Sequence, residues 1–346
     1  MPEKLNNILI IKPSSMGDVV LALPTLSALR KNFPDAKISW FVRPDFAPLL
    51  EGHPYLDETV PFDRKFLGKA WHSPRAFSAL IALMRRLRNA RYDAVFDLQG
   101  LFRTASLGWL SGAPLRLGMA STREPTRLFY THRIAKTERT VHLVDYYLDI
   151  VKAAGVPVGS AEFLLPQDKE ASDSVIDLLK RSDVDPQNYV VLVPSSAHED
   201  KCWPIDRFAK LADSIRDQFG SSMVAVGSPS ERDLAEKLNS LSHSGIVNLA
   251  GQTSLRQLVA LLRPAGLVVS NDTGAGHIAS AWGTPVVMIF GRTNPARVAP
   301  YGKPESAAAV DPFGRGMVID SPDPRHHVSN VTFDQVYQKV RTILES

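Results

Sequence analysis

The chain of 346 residues contains a single cysteine, Cys202, and therefore cannot form an internal disulfide. Its stability must come from packing, which is compatible with a reducing compartment. No apolar run approaches the roughly 18–20 residues of a membrane-spanning helix. The apolar run at 8–11 is too short for the core of a signal peptide. These absences predict a cytoplasmic protein and disfavour secretion.

Several common ligand motifs are also missing. The chain has no G-x-G-x-x-G dinucleotide fingerprint, no Walker loop, no Cys/His spacing typical of zinc sites and no fixed-period repeat. The net charge of +4 and the pI near 9.1 suit an anionic substrate or a membrane surface. This net positive charge is too small for a chain of this length to indicate nucleic-acid binding by itself.

What is present is a short apolar run followed by an amphipathic helix, repeated along the chain, which is typical of parallel α/β folds. The first series predicts strands at 7–11, 37–42, 59–62 and 92–98, with helices near 21–32, 77–91 and 141–154. The second predicts strands at 189–193, 223–226, 246–249, 267–270 and 285–290. The rhythm breaks at 163–166, which predicts domains at 1–165 and 166–330, followed by a C-terminal helix at 331–346.

Both predicted halves are doubly wound, and in such folds ligands bind at the carboxyl ends of the parallel strands. The loops that follow strands are therefore the predicted ligand-binding segments. The loop 12–18 joins the first strand to a helix and ends at Asp18. One interpretation makes Asp18 a helix cap. The other makes it a general base that accepts a proton from an attacking hydroxyl. The spacing alone leaves both open.

The loop 193–204 follows the first strand of the second half. It offers the hydroxyls of Ser195 and Ser196 and the ammonium of Lys201, which could bind phosphate oxygens. A loop lysine can equally be only solvated. Cys202 is most simply a small, partly buried thiol.

The segment 270–277 turns from a strand into a helix that starts with small residues, so that backbone N–H groups are open to an anion. The alternative is that Asp272 or Thr273 only caps the helix and that His277 is a core histidine.

A basic stretch at 64–75 is interleaved with aromatic residues and is supplemented by Arg123. It is either a solvated face or a surface that attracts an acidic acceptor. The Asp-x-Asp at 183–185 precedes a proline and is interpreted as a turn.

Five segments in this order resemble the lipopolysaccharide heptosyltransferases of glycosyltransferase family 9, most closely the heptosyltransferase I branch. They are 12–19 (KPSSMGDV), 92–101 (YDAVFDLQGL), 123–125 (REP), 200–204 (DKCWP) and 271–277 (NDTGAGH). The resemblance implies a GT-B fold, with two Rossmann-like domains facing across a cleft and a C-terminal helix that packs back on the first domain. It places the acceptor in the first domain and the sugar nucleotide in the second.

The resemblance also implies roles for individual residues. Asp18 would be the catalytic base, and Lys201 would neutralise the donor diphosphate. The remaining donor-site residues would be Ser195, Ser196, Glu231, Thr253, Asp272, Thr273, Gly274 and His277. The acceptor site would comprise Lys12, Ser14, Gly17, Arg64, Lys65 and Arg123.

The implied reaction is inverting transfer of L-glycero-D-manno-heptose from ADP-heptose to Kdo of the lipopolysaccharide inner core. No metal or other cofactor, no nucleic acid and no obligate protein partner are expected. Peripheral contact with the cytoplasmic face of the inner membrane is expected. Segment 141–146 looks more like other family members, which leaves an already heptosylated core as an alternative acceptor. A nucleotide-dependent oxidoreductase and a noncatalytic sugar-nucleotide-binding protein are the alternatives from other classes.

Overall fold

A computed structural model describes residues 4–120 and 124–345. The chain forms two compact units, 1–166 and 167–346. The division lies one residue from the boundary that the sequence predicts. Within the described ranges, no helix is long and apolar enough to cross a bilayer.

The first unit is built on a sheet of six parallel strands in the order β3-β2-β1-β4-β5-β6. The strands are β1 (Asn7–Ile11), β2 (Lys37–Val42), β3 (Glu58–Pro61), β4 (Ala94–Asp97), β5 (Leu115–Met119) and β6 (His132–Ile134). Strands β1 and β4 are almost wholly buried because helices cover both faces of a parallel sheet. The sequence analysis did not predict β5 and β6, which are short or interrupted by arginine.

Within the part of the first unit that the structure describes, six α-helices accompany this sheet: α1 (Met16–Leu21), α2 (Leu23–Asn32), α3 (Arg64–Leu67), α4 (Pro74–Asn89), α5 (Phe102–Leu110) and α6 (Leu143–Lys152). The helix predicted near 21–32 is α2, which begins two residues later. Helix α1 was not predicted, and a break at Ala22 separates the two. Pro24 explains the break. It has no N–H to donate and its ring would clash inside a continuous helix, but it fits the first turn of a new one.

The second unit repeats the arrangement with the strand order β12-β11-β10-β7-β8-β9, again all parallel. Its strands are β7 (Tyr189–Val193), β8 (Ser222–Ala225), β9 (Val247–Asn248), β10 (Leu267–Asn271), β11 (Val286–Ile289) and β12 (Ala307–Ala308). Its helices are α7 (Lys169–Arg181), α8 (Ile205–Phe219), α9 (Arg232–Ser240), α10 (Leu255–Leu262), α11 (Gly274–Trp282), α12 (Pro295–Val298) and α13 (Phe333–Leu344).

Helix α13 begins at a capping box formed by Thr332 and Gln335 and carries an apolar stripe. The expectation was that this helix packs back on the first domain. Instead, Val336 and Val340 are fully buried in the core of the second unit, where α13 packs against α8 and the sheet. The chain just before α13 is fixed there as well, because the Trp203 indole N–H donates to Val331 O at 2.8 Å. The period of an amphipathic helix identifies the buried face but not the core that receives it.

In both sheets the strand order reverses beside the strand that comes first in the chain. This switch point lies between β1 and β4 in the first unit and between β7 and β10 in the second. Loops that leave the carboxyl ends of two such strands diverge and leave a crevice for ligands. Two loops border this crevice in each unit. They are 12–18 and 98–101 in the first unit, and 194–204 and 272–273 in the second.

Candidate active site

The loop after β1 holds an ion pair between Lys12 and Asp18. The Lys12 ammonium lies 3.2 Å from Asp18 Oδ2, and the Ser15 N–H donates to the same oxygen at 3.1 Å. Asp18 is the third residue of α1, so it does stabilise the helix start. The side chain nevertheless keeps 30% of its surface exposed. Capping and proton transfer are thus compatible in this geometry.

Lys12 is the buried member of the pair, with 4% of its side chain exposed. Burial alone would lower the pKa of this ammonium, but Asp18 and Tyr147 outweigh it and raise the pKa. The Tyr147 ring from α6 lies 5.6 Å from Nζ. Lys12 therefore keeps its positive charge beside Asp18 throughout the physiological pH range.

The other predicted acceptor residues lie at the same edge of the sheet but not all in this loop. Ser14 is half-buried and Gly17 is buried at the start of α1. Arg64 and Lys65 form the exposed first turn of α3, which follows β3, two strands away from β1. Arg123 lies outside the described residues.

A buried carboxylate that the sequence did not predict as a site residue lies at the end of β4. Asp97 is fully buried and accepts hydrogen bonds from Gln99 N–H at 2.9 Å, Gly100 N–H at 3.1 Å and Tyr130 Oη at 2.8 Å. Burial raises the pKa of Asp97, although these donors act in the opposite direction. Asp97 is the register partner of Ile11 in β1, so it fixes the turn beside the Lys12–Asp18 loop.

A glycine makes room for this contact. A Cβ on Gly118 of β5 would lie 2.4 Å from the Tyr130 ring. The sequence does contain a signal for the role of Asp97. It is a carboxylate at the end of a buried strand and is followed closely by Gly100, a pattern typical of a side chain that accepts hydrogen bonds from the turn after it.

In the second unit, three predicted donor-site residues converge at the β7–β10 switch point. The Lys201 ammonium lies 3.1 Å from Asp272 Oδ2, and His277 Nε2 lies 3.7 Å from Oδ1. Burial alone would raise the pKa of Asp272, but His277 and Lys201 reverse this and lower it to about 2. Asp272 is therefore ionised at neutral pH and holds both side chains in place.

Helix α11 begins directly after this carboxylate. Thr273 is its N-cap residue, and the Thr273 hydroxyl lies 2.9 Å from the Ser270 hydroxyl. Gly274 opens the helix, and a Cβ on Gly276 would lie 2.9 Å from the Met288 side chain, so that only glycine fits here without a shift. The backbone N–H groups at the start of this nine-residue helix favour an anion, and Lys201 adds a positive charge near them.

A second residue that was not among the predicted site residues connects the two loops. Asn271 is fully buried; its Nδ2 donates to Pro194 O at 2.7 Å, and its Oδ1 accepts from Trp203 N–H at 3.0 Å. This clamp places the intervening residues beside Asp272, and the Ser196 hydroxyl lies 3.5 Å from Asp272 O. Ser195 is buried within the same loop.

The thiol that follows Lys201 matches its prediction. Cys202 is half-buried, and burial raises its pKa. It is therefore a poor nucleophile at neutral pH.

Glu231 and Thr253 lie further along the same edge, in the loops after β8 and β9. The Glu231 carboxylate accepts the Ser228 N–H in a capping box. The two loops touch, since Gly251 N–H donates to Gly227 O at 2.9 Å. The two residues therefore follow strands that lie one and two places from β7, and they are not part of the Asp272 cluster.

Among residues 4–120 and 124–345, no group of three or more His, Cys, Asp or Glu side chains is arranged to hold a metal ion. The Asp-x-Asp at 183–185 is a turn, as predicted. Asp183 has a positive φ of 56°, and Asp185 accepts from the Gln187 N–H at 2.9 Å.

Comparison with known families shows which family the chain belongs to. The model of glycosyltransferase family 9 (heptosyltransferase) matches residues 80–314. The chain belongs to glycosyltransferase family 9. It is 29% identical to the lipopolysaccharide core heptosyltransferase OpsX of Haemophilus influenzae, over 89% of this chain and 85% of that protein. It is 27% identical to lipopolysaccharide heptosyltransferase 1 of Escherichia coli K12, over 97% and 99%.

Solved structures have the same fold. The E. coli heptosyltransferase WaaC with ADP-2-deoxy-2-fluoro heptose superposes with a TM-score of 0.75 at 25% identity, covering 97% of this chain and 99% of WaaC. A family 9 glycosyltransferase from Veillonella parvula gives a TM-score of 0.83 at 24% identity and covers 100% and 99%. These findings confirm the predicted family, the GT-B fold and glycosyltransferase activity, and they favour a heptosyltransferase I-like enzyme over the alternatives.

Proposed function

We propose that this family 9 enzyme transfers L-glycero-D-manno-heptose from ADP-heptose to Kdo of the lipopolysaccharide inner core, without a metal, at the cytoplasmic face of the inner membrane. One observation carries the donor side of the proposal. At the second switch point, the Lys201 ammonium is held by the ionised Asp272 beside the start of α11. A cation next to free backbone N–H groups suits a diphosphate.

In the proposed reaction, the acceptor hydroxyl attacks the anomeric carbon while the bond from that carbon to the diphosphate oxygen breaks. Asp18 takes the hydroxyl proton, ADP leaves, and the anomeric configuration inverts. The negative charge that develops on the departing diphosphate is stabilised by Lys201 and the N–H groups at the start of α11. Preorganised donors of this kind contribute several kcal/mol in other enzymes.

The surrounding residues have supporting roles in this proposal. Lys12, Ser14, Gly17, Arg64, Lys65 and Arg123 bind the acidic acceptor. Ser195, Ser196, Asp272, Thr273, Gly274 and His277 bind the heptose and phosphates, and Glu231 and Thr253 bind the nucleoside. Lys12 supports the proposal most directly, because its buried ammonium lies 3.2 Å from the Asp18 carboxylate and fixes the position of that side chain.

The test is a transfer assay with ADP-heptose and two acceptors, Kdo-lipid A and a core that already carries heptose, with products identified by mass. We expect a mass increase of one heptose on Kdo-lipid A. Product formed only from the heptosylated core would reassign the acceptor, and no product from either acceptor would refute the proposal.

Asp18→Asn tests the base. The amide keeps the shape and can still accept the Ser15 N–H, so the fold and ADP affinity should be unchanged while kcat falls by about 10²–10⁴-fold. The control is Asp45→Asn, which removes an exposed carboxylate of the same unit that pairs with Arg43. A near-normal kcat for Asp18→Asn would remove this residue as the base.

Lys201→Gln tests the diphosphate site. We expect ADP to bind at least tenfold more weakly while adenosine binding is unchanged, because adenosine has no phosphate. Lys180→Gln, an exposed lysine at the end of α7, is the matched control. Equal ADP affinity in both variants would contradict the assignment.

A further inference from the structure

The first unit carries an unusual charge distribution on one side. Residues 64–103 contain nine arginines and lysines but only two acidic residues. One of these, Asp97, is fully buried, and the other, Asp93, accepts the N–H groups of Asn6 and Asn7. This segment alone has a larger positive excess than the net +4 of the whole chain.

The same side exposes large apolar side chains. Trp71, in the connection between α3 and α4, is 97% exposed, and Leu128 is 86% exposed. Phe77, Phe102 and Trp109 are each about half exposed. We call these five residues, together with the arginines and lysines of 64–103 and Arg127, the basic aromatic surface.

The elements that carry this surface are neighbours. Helix α4 packs against both α3 and α5, and the side chain of Arg88 at the end of α4 lies over Gly112 just after α5. Phe102 and Trp109 of α5 flank Phe129, with ring centroids 5.2 and 6.2 Å from it, and Leu128 is the residue before. The surface therefore extends over the neighbouring elements α4, α5 and 127–129, with Trp71 in the connection before α4.

Topology places part of this surface beside the proposed acceptor site. Helices α4 and α5 follow β3 and β4 in parallel βαβ units, so each begins at the carboxyl edge of the sheet. The Lys12–Asp18 loop leaves β1 at that same edge. Trp71, Phe77 and Phe102 lie at these helix starts.

We propose that the basic aromatic surface docks the first unit on an anionic lipid bilayer. Arginine and lysine side chains match acidic headgroups, and tryptophan and other large apolar side chains insert at the level between headgroups and acyl chains. This inference rests on the proposed function, since a lipid-anchored acceptor would then reach the Asp18 loop without leaving the bilayer.

Charge argues against a second copy of this chain as the occupant. In a two-fold dimer the same patch contacts itself, so two basic faces would repel each other. An aliphatic side chain as exposed as Leu128 has no base-stacking role, which favours lipid over nucleic acid.

The test is co-sedimentation of the full chain with vesicles of phosphatidylcholine alone or with one third phosphatidylglycerol. We expect binding to the anionic vesicles, loss of binding in high salt, and little binding to the neutral ones. Equal binding to both vesicle types would overturn the proposal. So would a concentration-dependent dimer that the surface variants abolish, or stronger binding to duplex DNA than to anionic vesicles at equal salt.

Two variants separate the charged and apolar contributions. The triple variant Arg75→Gln, Arg85→Gln and Arg127→Gln should lower the partition coefficient by about 100-fold, at about fivefold for each basic residue. Its control is the triple variant Lys180→Gln, Lys237→Gln and Lys303→Gln, which removes three exposed charges from the second unit and should change binding less than twofold. An equal loss in both would overturn the proposal.

The double variant Trp71→Ser and Leu128→Ser should bind anionic vesicles at least tenfold more weakly. Its control is Leu241→Ser, a 48% exposed leucine of the second unit. ADP affinity and transfer to a water-soluble acceptor without acyl chains should be unchanged in the double variant, while transfer to a vesicle-bound acceptor falls.

If the wild-type chain binds anionic vesicles but transfers heptose to neither acceptor, the proposed function fails and the docking surface stands. If it transfers heptose but the variants bind vesicles normally, only the docking surface fails.

Discussion

Replacing Asp272 by asparagine removes the charge that organises the proposed donor site, and its effect on stability can be worked out from the structure. The pKa of Asp272 lies at about 2 instead of the ordinary 3.8. One pKa unit corresponds to about 1.4 kcal/mol, so the ionised carboxylate stabilises the folded state by about 2 kcal/mol at neutral pH. Asparagine has the same shape but cannot pair electrostatically with Lys201 or His277.

The sign of the pH dependence follows from the direction of the shift. Because the folded-state pKa is lowered, the stabilisation is complete above the unfolded-state pKa of about 3.8 and is lost as the pH falls towards 2. The difference in unfolding free energy between wild type and Asp272→Asn should therefore be about 2 kcal/mol at pH 7 and roughly half of that at pH 3.

Urea unfolding at pH 7 and pH 3 measures this difference. Labelling of Cys202, the single cysteine of the chain, assigns the transition to the loop next to Lys201. The matched control is Asp200→Asn, because Asp200 is half exposed and lies 3.6 Å from Arg292, so that its pair should contribute less than about 1 kcal/mol. An Asp272→Asn effect that is absent, or equal at both pH values, would refute the reasoning.

Three further substitutions test the packing around both sites. Asn271→Ala should lower the unfolding free energy of the second unit by about 2–4 kcal/mol in urea titrations, because a buried N–H and a buried carbonyl lose their partner; a loss under 1 kcal/mol would argue against the clamp. Gly118→Ala should cost about 1–3 kcal/mol by forcing the Tyr130 ring to move, whereas Gly159→Ala, with open space around it, should leave the thermal midpoint unchanged; equal midpoints would contradict the close contact. Val336→Ala should cost about 2 kcal/mol and reduce hydrogen-exchange protection in the second unit; reduced protection confined to the first unit would contradict its place in the core.

The sequence predicted the central strands of both sheets because strands buried on both faces are nearly continuous apolar runs, as in β7. It did not predict β5, where Arg116 interrupts the run, or β12, which has only two residues. The loops after β1, β7 and β10 were also predictable, since polar and small residues follow those strands directly. Pro24 is the sequence signal for the break between α1 and α2, because proline fits the first turn of a helix but not its interior.

The remaining parts of the two sites depend on strand neighbours that no local pattern reveals. Asp97 matters because β4 lies beside β1, although more than 80 residues separate them in the chain. Asn271 matters because β10 lies beside β7. In both cases a single polar residue at a strand end looks like an ordinary turn residue until its neighbour is known. Tyr147 on α6 likewise contacts Lys12 only through tertiary packing, which no local sequence pattern reveals.

The position of α13 in the core of the second unit has a consequence for biosynthesis. The first unit has its complete sequence once translation has passed Pro166, so it can fold while the ribosome continues. The second unit cannot close its hydrophobic interior until Val336 and Val340 have emerged. Between these two moments, the nascent second unit exposes an unsealed apolar surface that chaperones can recognise, next to a first unit that is already folded.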